Sequence, residues 1–503
     1  MKKTAICIAL AAMFTSAHAF ADNTFAGLSK QWTYSHALTG AAGQTSEIAA
    51  FDGVTNTLWV AGVAGVDVLN ALNGSLVQHI DTTAFGSINS VAIHNGIAAF
   101  AIESTVDRRN SGTVKLFDTT TRALASGVNS ITVGSLPDML TFTRDGSKLL
   151  VANEGTPNAV ADTAYTSPDP AGSVSIIDMN TRTLVANAGF VGVATSGSAL
   201  RTNTGMDFEP EYITVNAAGT KAYVSLQEAN GMGVLDLTTN TFSSVIGLGT
   251  KDFSAAGNAI DPNDRDYLSG TAGPTKTELR TVAVRGLYQP DGMAAYESNG
   301  NTFIVMANEG DTREDDGDKA RASTLAGTPG DLKRLNISTA DSTPGNLVTF
   351  GGRSFSIRDE AGNIVFDSGN QLDAKAIELG IYDDARSDDK GVEPEGVDLK
   401  EIGGRMYAFI GLERTTKGAV AVYDVTDPSQ ASFVDMIVTN GDVAPEGIKT
   451  FTMGGMHYLA ISNEVSNTTT VYSLAPVPEP ETYAMLMAGL GMLGFAARRR
   501  KVK

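Results

Sequence analysis

The segment Pro445–Leu474, PEGIKTFTMGGMHYLAISNEVSNTTTVYSL, decides the fold. Ile448 to Thr452 reads as a first strand, Gly454-Gly455 as a turn, His457 to Ser462 as a second strand running into Asn463-Glu464, and Thr470 to Leu474 as a third. Short runs rich in β-branched and aromatic residues, separated by glycine turns, predict antiparallel strands. One acid, Glu446, stands before the first strand, and another, Glu464, follows the second.

The same plan recurs upstream. Pro394-Glu395-Gly396 leads through Gly403-Gly404 and Tyr407–Leu412 to Glu413. Pro290-Asp291-Gly292 leads through Asn299-Gly300 and Phe303–Ala307 to Asn308-Glu309-Gly310. Pro210-Glu211 leads through Ala218-Gly219 to Glu228, and Pro137-Asp138 through Asp145-Gly146 to Asn153-Glu154-Gly155. Weaker copies run from Ser90 through Asn95-Gly96 to Glu103, and from Glu47 through Asp52-Gly53 to Ala61-Gly62, making seven in all. A third strand opening on Gly recurs as GTVKLFD (112–118), GSVSIID (172–178) and GAVAVYD (418–424), and a fourth follows most of these, as at Ser432–Val438.

Repeated four-stranded units that bury their faces on one another predict a ring. The expected fold is all-β: a seven-bladed β-propeller with long loop insertions near 156–170, 250–282 and 311–390. The last of these contains an apparent hairpin, Ser354–Asp367, turned at Ala361-Gly362-Asn363. The seventh repeat lacks a fourth strand, so Leu28–Ala37 is expected to close the last blade. An open solenoid or stacked sandwiches would be the alternative.

The ends differ from the body. Residues 1–21 read as a signal peptide: Lys2 and Lys3, an apolar stretch from Ala5 to Phe14, and small residues for cleavage after Ala19 or Ala21. Residues 22–475 form the propeller, and 476–503 a tail with Pro478-Glu479-Pro480, an uncharged stretch from Tyr483 to Ala497 and the basic cluster Arg498-Arg499-Arg500-Lys501. As a helix that stretch spans about 22 Å, short for a ~30 Å hydrocarbon core and suited to transient membrane contact. The basic cluster favours a cytoplasmic C-terminus.

Net charge is −19, and seven of the 37 Lys and Arg residues lie in the two ends. An acidic body disfavours nucleic acid and anionic membranes and attracts cations. The lone cysteine, Cys7, lies in the signal segment, which excludes thiol ligands and disulfides from the mature chain.

The tail resembles the PEP-CTERM sorting signal. That resemblance implies processing by an exosortase near Pro478-Glu479-Pro480 and delivery to the cell surface or extracellular matrix. The body resembles the choice-of-anchor I family. The carrying segments are Glu209-Pro210-Glu211-Tyr212, Gln289-Pro290-Asp291-Gly292, Ala307-Asn308-Glu309-Gly310-Asp311, Gly352-Arg353-Ser354-Phe355-Ser356, Val392-Glu393-Pro394-Glu395-Gly396 and Pro445-Glu446-Gly447. It implies a secreted propeller with variable anchoring. Some relatives carry an alkaline-phosphatase-like label.

The first and second strands of each unit form a hairpin whose open ends share an edge, so both acids of a repeat lie on one face. A ring of such units gathers Asp138, Glu154, Glu211, Glu228, Asp291, Glu309, Glu395, Glu413, Glu446 and Glu464 around one mouth. So many carboxylates must be protonated, paired with bases such as Arg313, Arg414 or Lys417, or bound to cations. Oxygen-only ligands favour Ca²⁺. Zinc is disfavoured, because His36, His79, His94 and His457 lie outside the motifs. The structural alternative is that each acid caps nearby backbone N–H groups. The acidic run Asp311, Glu314, Asp315, Asp316 and Asp318 looks like a calcium loop, but aligning Gly317 at its sixth place puts Ser323 where the twelfth-position Glu belongs.

No P-loop, nucleophile elbow or His-Glu-x-x-His helix is present. Two functions remain open. One is a calcium-dependent phosphoesterase, with Arg313 or Arg414 gripping phosphate beside the metal. The other is a non-catalytic surface propeller, expected to be monomeric, that binds a matrix polysaccharide or a protein.

Overall fold

The computed structural model describes residues 28–156, 170–202, 208–268, 273, 275–313 and 317–474. The signal segment, the sorting tail, most of the 156–170 insertion and Glu314–Asp316 of the acidic run lie outside the described residues.

The second strand of each repeat shows why sheets stack here. In Thr57–Gly62, TLWVAG, every residue is buried. Side chains alternate between faces along a strand. Leu58 and Val60 join one apolar cluster, and Trp59 and Ala61 join another. A strand apolar on both faces requires a neighbouring sheet on each side.

Seven sheets of four or five strands supply those neighbours. Their first strands are Ala49–Asp52, Ile88–His94, Pro137–Phe142, Pro210–Val215, Met293–Ser298, Pro394–Ile402 and Pro445–Met453. Each sheet is mainly an antiparallel meander in chain order. Apolar clusters fill the spaces between successive sheets, from Trp59 and Phe100 between the first two to Phe409 and Leu459 between the last two. A further cluster joins the last sheet to the first, with Phe451, Ala460 and Val471 against Ala49, Leu58 and Val60. The first strands touch in sequence, and Pro445–Met453 also touches Ala49–Asp52.

In the last sheet the fourth strand comes from the other end of the chain. Ser29–Ser35 pairs antiparallel with Thr468–Leu474, from Ser29 opposite Ser473 to Ser35 opposite Thr468. Trp32 and Tyr34 are buried in the cluster between the last and first sheets, and the Trp32 indole donates to the Ala71 carbonyl at 3.1 Å. Beyond this strand His36 is fully buried. Its Nδ1 lies 2.7 Å from Asp67 Oδ2 in the first sheet, and its Nε2 lies 2.8 Å from the Thr469 hydroxyl in the last. His79 Nδ1 takes the other Asp67 oxygen at 2.7 Å.

The insertions correct one expectation. Ser354–Asp359 and Ile364–Asp367 do form the expected hairpin, but it is no part of an insertion: they are the third and fourth strands of the fifth sheet. The chain leaves that sheet after Asn308 and re-enters at Ser354, directly opposite it, so sequence distance hid the pairing. The excursion packs against the 250–282 insertion around Phe253, Ile260, Val284, Leu335 and Ile337. After Asp367 the chain forms the α-helix Gln371–Glu378 and then approaches the sixth sheet through Lys390 and Glu393.

Candidate cation site at the acidic mouth

The repeat motif Pro-acid-Gly owes its composition to the crowding of neighbouring first strands. A Cβ at Gly292 would overlap the Glu395 carbonyl oxygen. At Gly396 it would strike the Glu446 carbonyl, and at Gly447 the Glu47 carbonyl. Glycine at these places lets the acid-bearing segment of the next sheet come close. The residue before the proline takes left-handed backbone in four copies: Leu136, Gln289, Glu393 and Ala444, with φ of 45°, 43°, 49° and 60°. Such non-glycine conformations cost about 1–3 kcal/mol each and persist where the surroundings enforce them. Here the carbonyl of the strained residue accepts the backbone N–H of Glu154, Gly310, Glu413 or Glu464 at 2.8–3.0 Å. The contact ties the entry of the first strand to the exit of the second and sets both acids at one edge. A register shift follows Pro137, Pro210, Pro394 and Pro445, so those acids sit on bulges, which redirect side chains.

The acids converge on a cavity of about 410 Å³. Among the described residues its lining has eleven carboxylates and four basic side chains, Arg108, Arg313, Lys390 and Arg414. Nine of the ten acids expected there line it. Glu464 does not: it is exposed, though near enough to raise the pKa of Glu446. Arg414 pairs with Glu413 at 2.7 Å, and Arg313 also lines the cavity, whereas Lys417 is exposed and outside it. Of the acidic run, Asp311 reaches the cavity, while Asp318 is buried against Arg201. The four histidines of the body are absent from the lining. A larger cavity of about 710 Å³ is lined by the same first strands further along, through Ala92, Thr141, Thr214, Ala295 and Leu399.

Burial and mutual repulsion act together on the mouth carboxyls. Burial, then Glu47 and Glu103, push Asp138 up to about 7. Burial, then Asp311 and Glu154, push Glu228 up to about 8, and burial, then Glu309 and Glu393, push Glu413 up to about 8. Glu211, Asp291, Glu395 and Glu446 are raised well above the ordinary carboxylate range, burial again leading and neighbouring acids adding to it. Burial leaves one oxygen each of Glu211, Glu228, Glu395 and Glu446 without a hydrogen-bond partner, and Glu228 is only 8% exposed. Buried polar atoms in folded proteins are normally paired.

Two triads can each bring three carboxylate oxygens within 4.8 Å of one another: Asp291, Glu309 and Glu395, and Glu309, Glu393 and Glu413. The first unites acids of the fifth and sixth repeats. Glu393, Lys390, Glu209 and Arg108 were not foreseen as part of the mouth. Glu393 and Glu209 each lie two residues before an acid that was, on the other side of the motif proline, which was the available signal. Lys390 lies in an insertion and carried no repeat signature.

The choice-of-anchor I domain model matches residues 47–428, spanning the first five sheets, three strands of the sixth and every acid of this mouth but Glu446. The chain belongs to the choice-of-anchor I family. The PEP-CTERM protein-sorting motif matches residues 476–501, beyond the family domain, and marks an exported protein of the cell surface processed by the exosortase sorting system. Gigasin-3a of Magallana gigas is 29% identical over 113 residues, a match that covers 18% of this chain and 39% of that protein's length. Among solved structures, Kuenenia stuttgartiensis hydrazine synthase aligns at 12% identity over 86% of this chain and 96% of its own, with a TM-score of 0.49. The β-propeller domain of Cps50 (Swd1) from Myceliophteria thermophila aligns at 9% identity over 89% of this chain and all of its own, with a TM-score of 0.45.

Proposed function

We infer that this family member is a surface propeller whose acidic mouth binds a divalent cation, Ca²⁺ above all. In this reading the seven sheets are the blades of one closed ring, Ser29–Ser35 completes the last blade, and the body spans 22–475 between a signal peptide (1–21) and the sorting tail (476–503). Contact between the last and first sheets and the buried His36–Asp67–Thr469 link support closure.

The observation that carries the cation reading is the set of buried, partnerless carboxylate oxygens on residues of three repeats that line one cavity. Leaving such groups ionised and unpaired is costly, and a metal ion relieves both burial and repulsion. An all-oxygen donor set without imidazole or thiolate suits Ca²⁺, which accepts 6–8 oxygens in flexible geometry. Asp291, Glu309 and Glu395 would hold it, with Glu211 nearby in the same lining. The bound ion joins neighbouring blades at the mouth, as a non-catalytic surface or matrix propeller would use it.

A second reading, phosphoester hydrolysis at the same mouth, draws on Arg414. Its side chain is 41% exposed and already beside Glu413, so it could meet a phosphate next to the ion. One set of measurements separates the readings. Protein purified without chelator is expected to contain calcium, and its melting temperature to rise with calcium and fall with EDTA. Calcium at 100 times its Kd adds about 2.7 kcal/mol to stability. Glu309→Gln is expected to blunt that response. A melting temperature indifferent to calcium would sink the cation reading. Calcium-dependent turnover of a phosphoester, lost in Arg414→Ala, would favour the hydrolase; calcium binding without turnover, the scaffold.

A further inference from the structure

The mouth already holds one cation, supplied by the chain. Lys390 reaches in from the insertion before the sixth sheet, and its ammonium meets three oxygens: Glu309 Oε1 at 2.6 Å, Glu393 Oε2 at 3.0 Å and the Gly310 carbonyl at 2.5 Å. An ammonium has three donors, so its coordination is complete. Burial works against the charge, but Glu309, Glu393 and Asp311 outweigh it and raise the Lys390 pKa well above its ordinary value.

Its partners belong to one of the two carboxylate triads. Lys390 bridges two of the three members of Glu309–Glu393–Glu413, and Arg386 and Arg414 support the same group from Glu393 and Glu413. Ion pairs among the described residues reach Glu309, Glu393 and Glu413, and none involves Asp291 or Glu395. Thus two adjoining positions share Glu309: one carries a lysine ammonium, and the other includes a buried Glu395 oxygen without a partner. Glu228, whose buried Oε2 has no partner, lines the same cavity, so the ligand demand of this mouth does not rest on the triads alone.

We propose that Lys390 is a tethered counter-ion that occupies the second of two divalent-cation positions and so sets how many ions the mouth accepts. The proposal rests on the cation reading above. Carboxylates with a backbone carbonyl are an ordinary calcium donor set, and the three oxygens now around the ammonium are of that kind. Together with Arg386 and Arg414, this single positive charge balances the three carboxylates without admitting a second divalent ion beside the first. Removing Lys390 leaves Glu309, Glu393, Glu413 and the Gly310 carbonyl as oxygen donors, with Glu309 shared between the two positions.

Equilibrium dialysis of the whole mature chain against calcium, followed by metal quantification, tests this. Lys390→Met is expected to bind one more calcium per chain than the parent. Lys390→Arg, which keeps the charge, is expected to match the parent, and adding Glu413→Gln to Lys390→Met is expected to remove the extra ion. Lys390→Met should lose thermal stability in EDTA and gain more from calcium than the parent does. A folded Lys390→Met chain with unchanged stoichiometry overturns the proposal. So does one that fails to fold even with calcium, because the ion is expected to replace the missing charge. A parent chain that binds no calcium defeats the cation reading instead. If Lys390→Met then binds one ion, the second position still stands; if it binds none, both ideas fail.

Discussion

Two of the places where the molecule buries carboxylates treat the charge in opposite ways. At the seam between the first and last sheets, Asp67 is fully buried, and His36, Thr39 and His79 hydrogen-bond to its oxygens. Burial opposes the charge, but the bonds from His36, Thr39 and His79 outweigh it and hold the carboxyl below its ordinary pKa. At the mouth, Glu228 is nearly as buried, has an oxygen without a partner, and is pushed up to about 8. A satisfied buried charge fastens a structure, and an unsatisfied one calls for a ligand.

The largest effect is expected at the seam. Asp67→Ala strands His36 and His79 without their acceptor, and breaking such a buried group costs about 3–5 kcal/mol. The loss should appear in chemical denaturation and be the same with calcium or EDTA. A calcium-dependent loss would mean that seam and mouth are one system.

Glu228→Gln should act with the opposite sign. It removes a buried carboxyl that folding must either protonate or hold charged beside other acids, so at neutral pH in EDTA the variant should be more stable than the parent, on the order of 1 kcal/mol. In calcium the advantage should vanish or reverse. A variant less stable than the parent in EDTA would show that Glu228, like Asp67, is a structural acceptor.

The most diffuse effect, spread over several groups, is the pH dependence. The mouth carboxyls have folded pKa values above their unfolded ones, so between about pH 4 and 8 the folded state binds more protons. Stability from these groups is therefore greatest at the acidic end and lost as pH rises through about 7–8. Asp67 contributes in the other direction, its stabilisation fading only in acid. Melting curves in EDTA should thus decline from pH 5 to pH 8, and calcium should flatten the decline. A flat profile in EDTA would mean that the mouth acids are neutralised by other means.

Much of this organisation was legible in the residues. The proline-acid pair before the first strand, the turns and the acid after the second strand recur in most copies, and repetition revealed both the sheet plan and nine of the acids that line the cavity. Reading failed where repetition was broken. Ser354–Asp367 looked like part of an insertion, because its partner strand ends at Asn308, and Lys390 bore no mark of its role. Glu464 kept its repeat position yet stands exposed, so position in the motif places an acid at the edge without deciding that it is buried.

Sequence by itself determined the all-β repeat, the spacing that puts two acids at one edge of five of the seven units, and the glycine that lets neighbouring units approach. Those are local properties of strand alternation, turn chemistry and side-chain size. Only the tertiary structure decided which carboxylates meet, which keep a partnerless oxygen, and that a lysine from an excursion enters among them. Those outcomes depend on distances between residues far apart in the chain, and electrostatic energy depends on distance and burial, which no local pattern encodes.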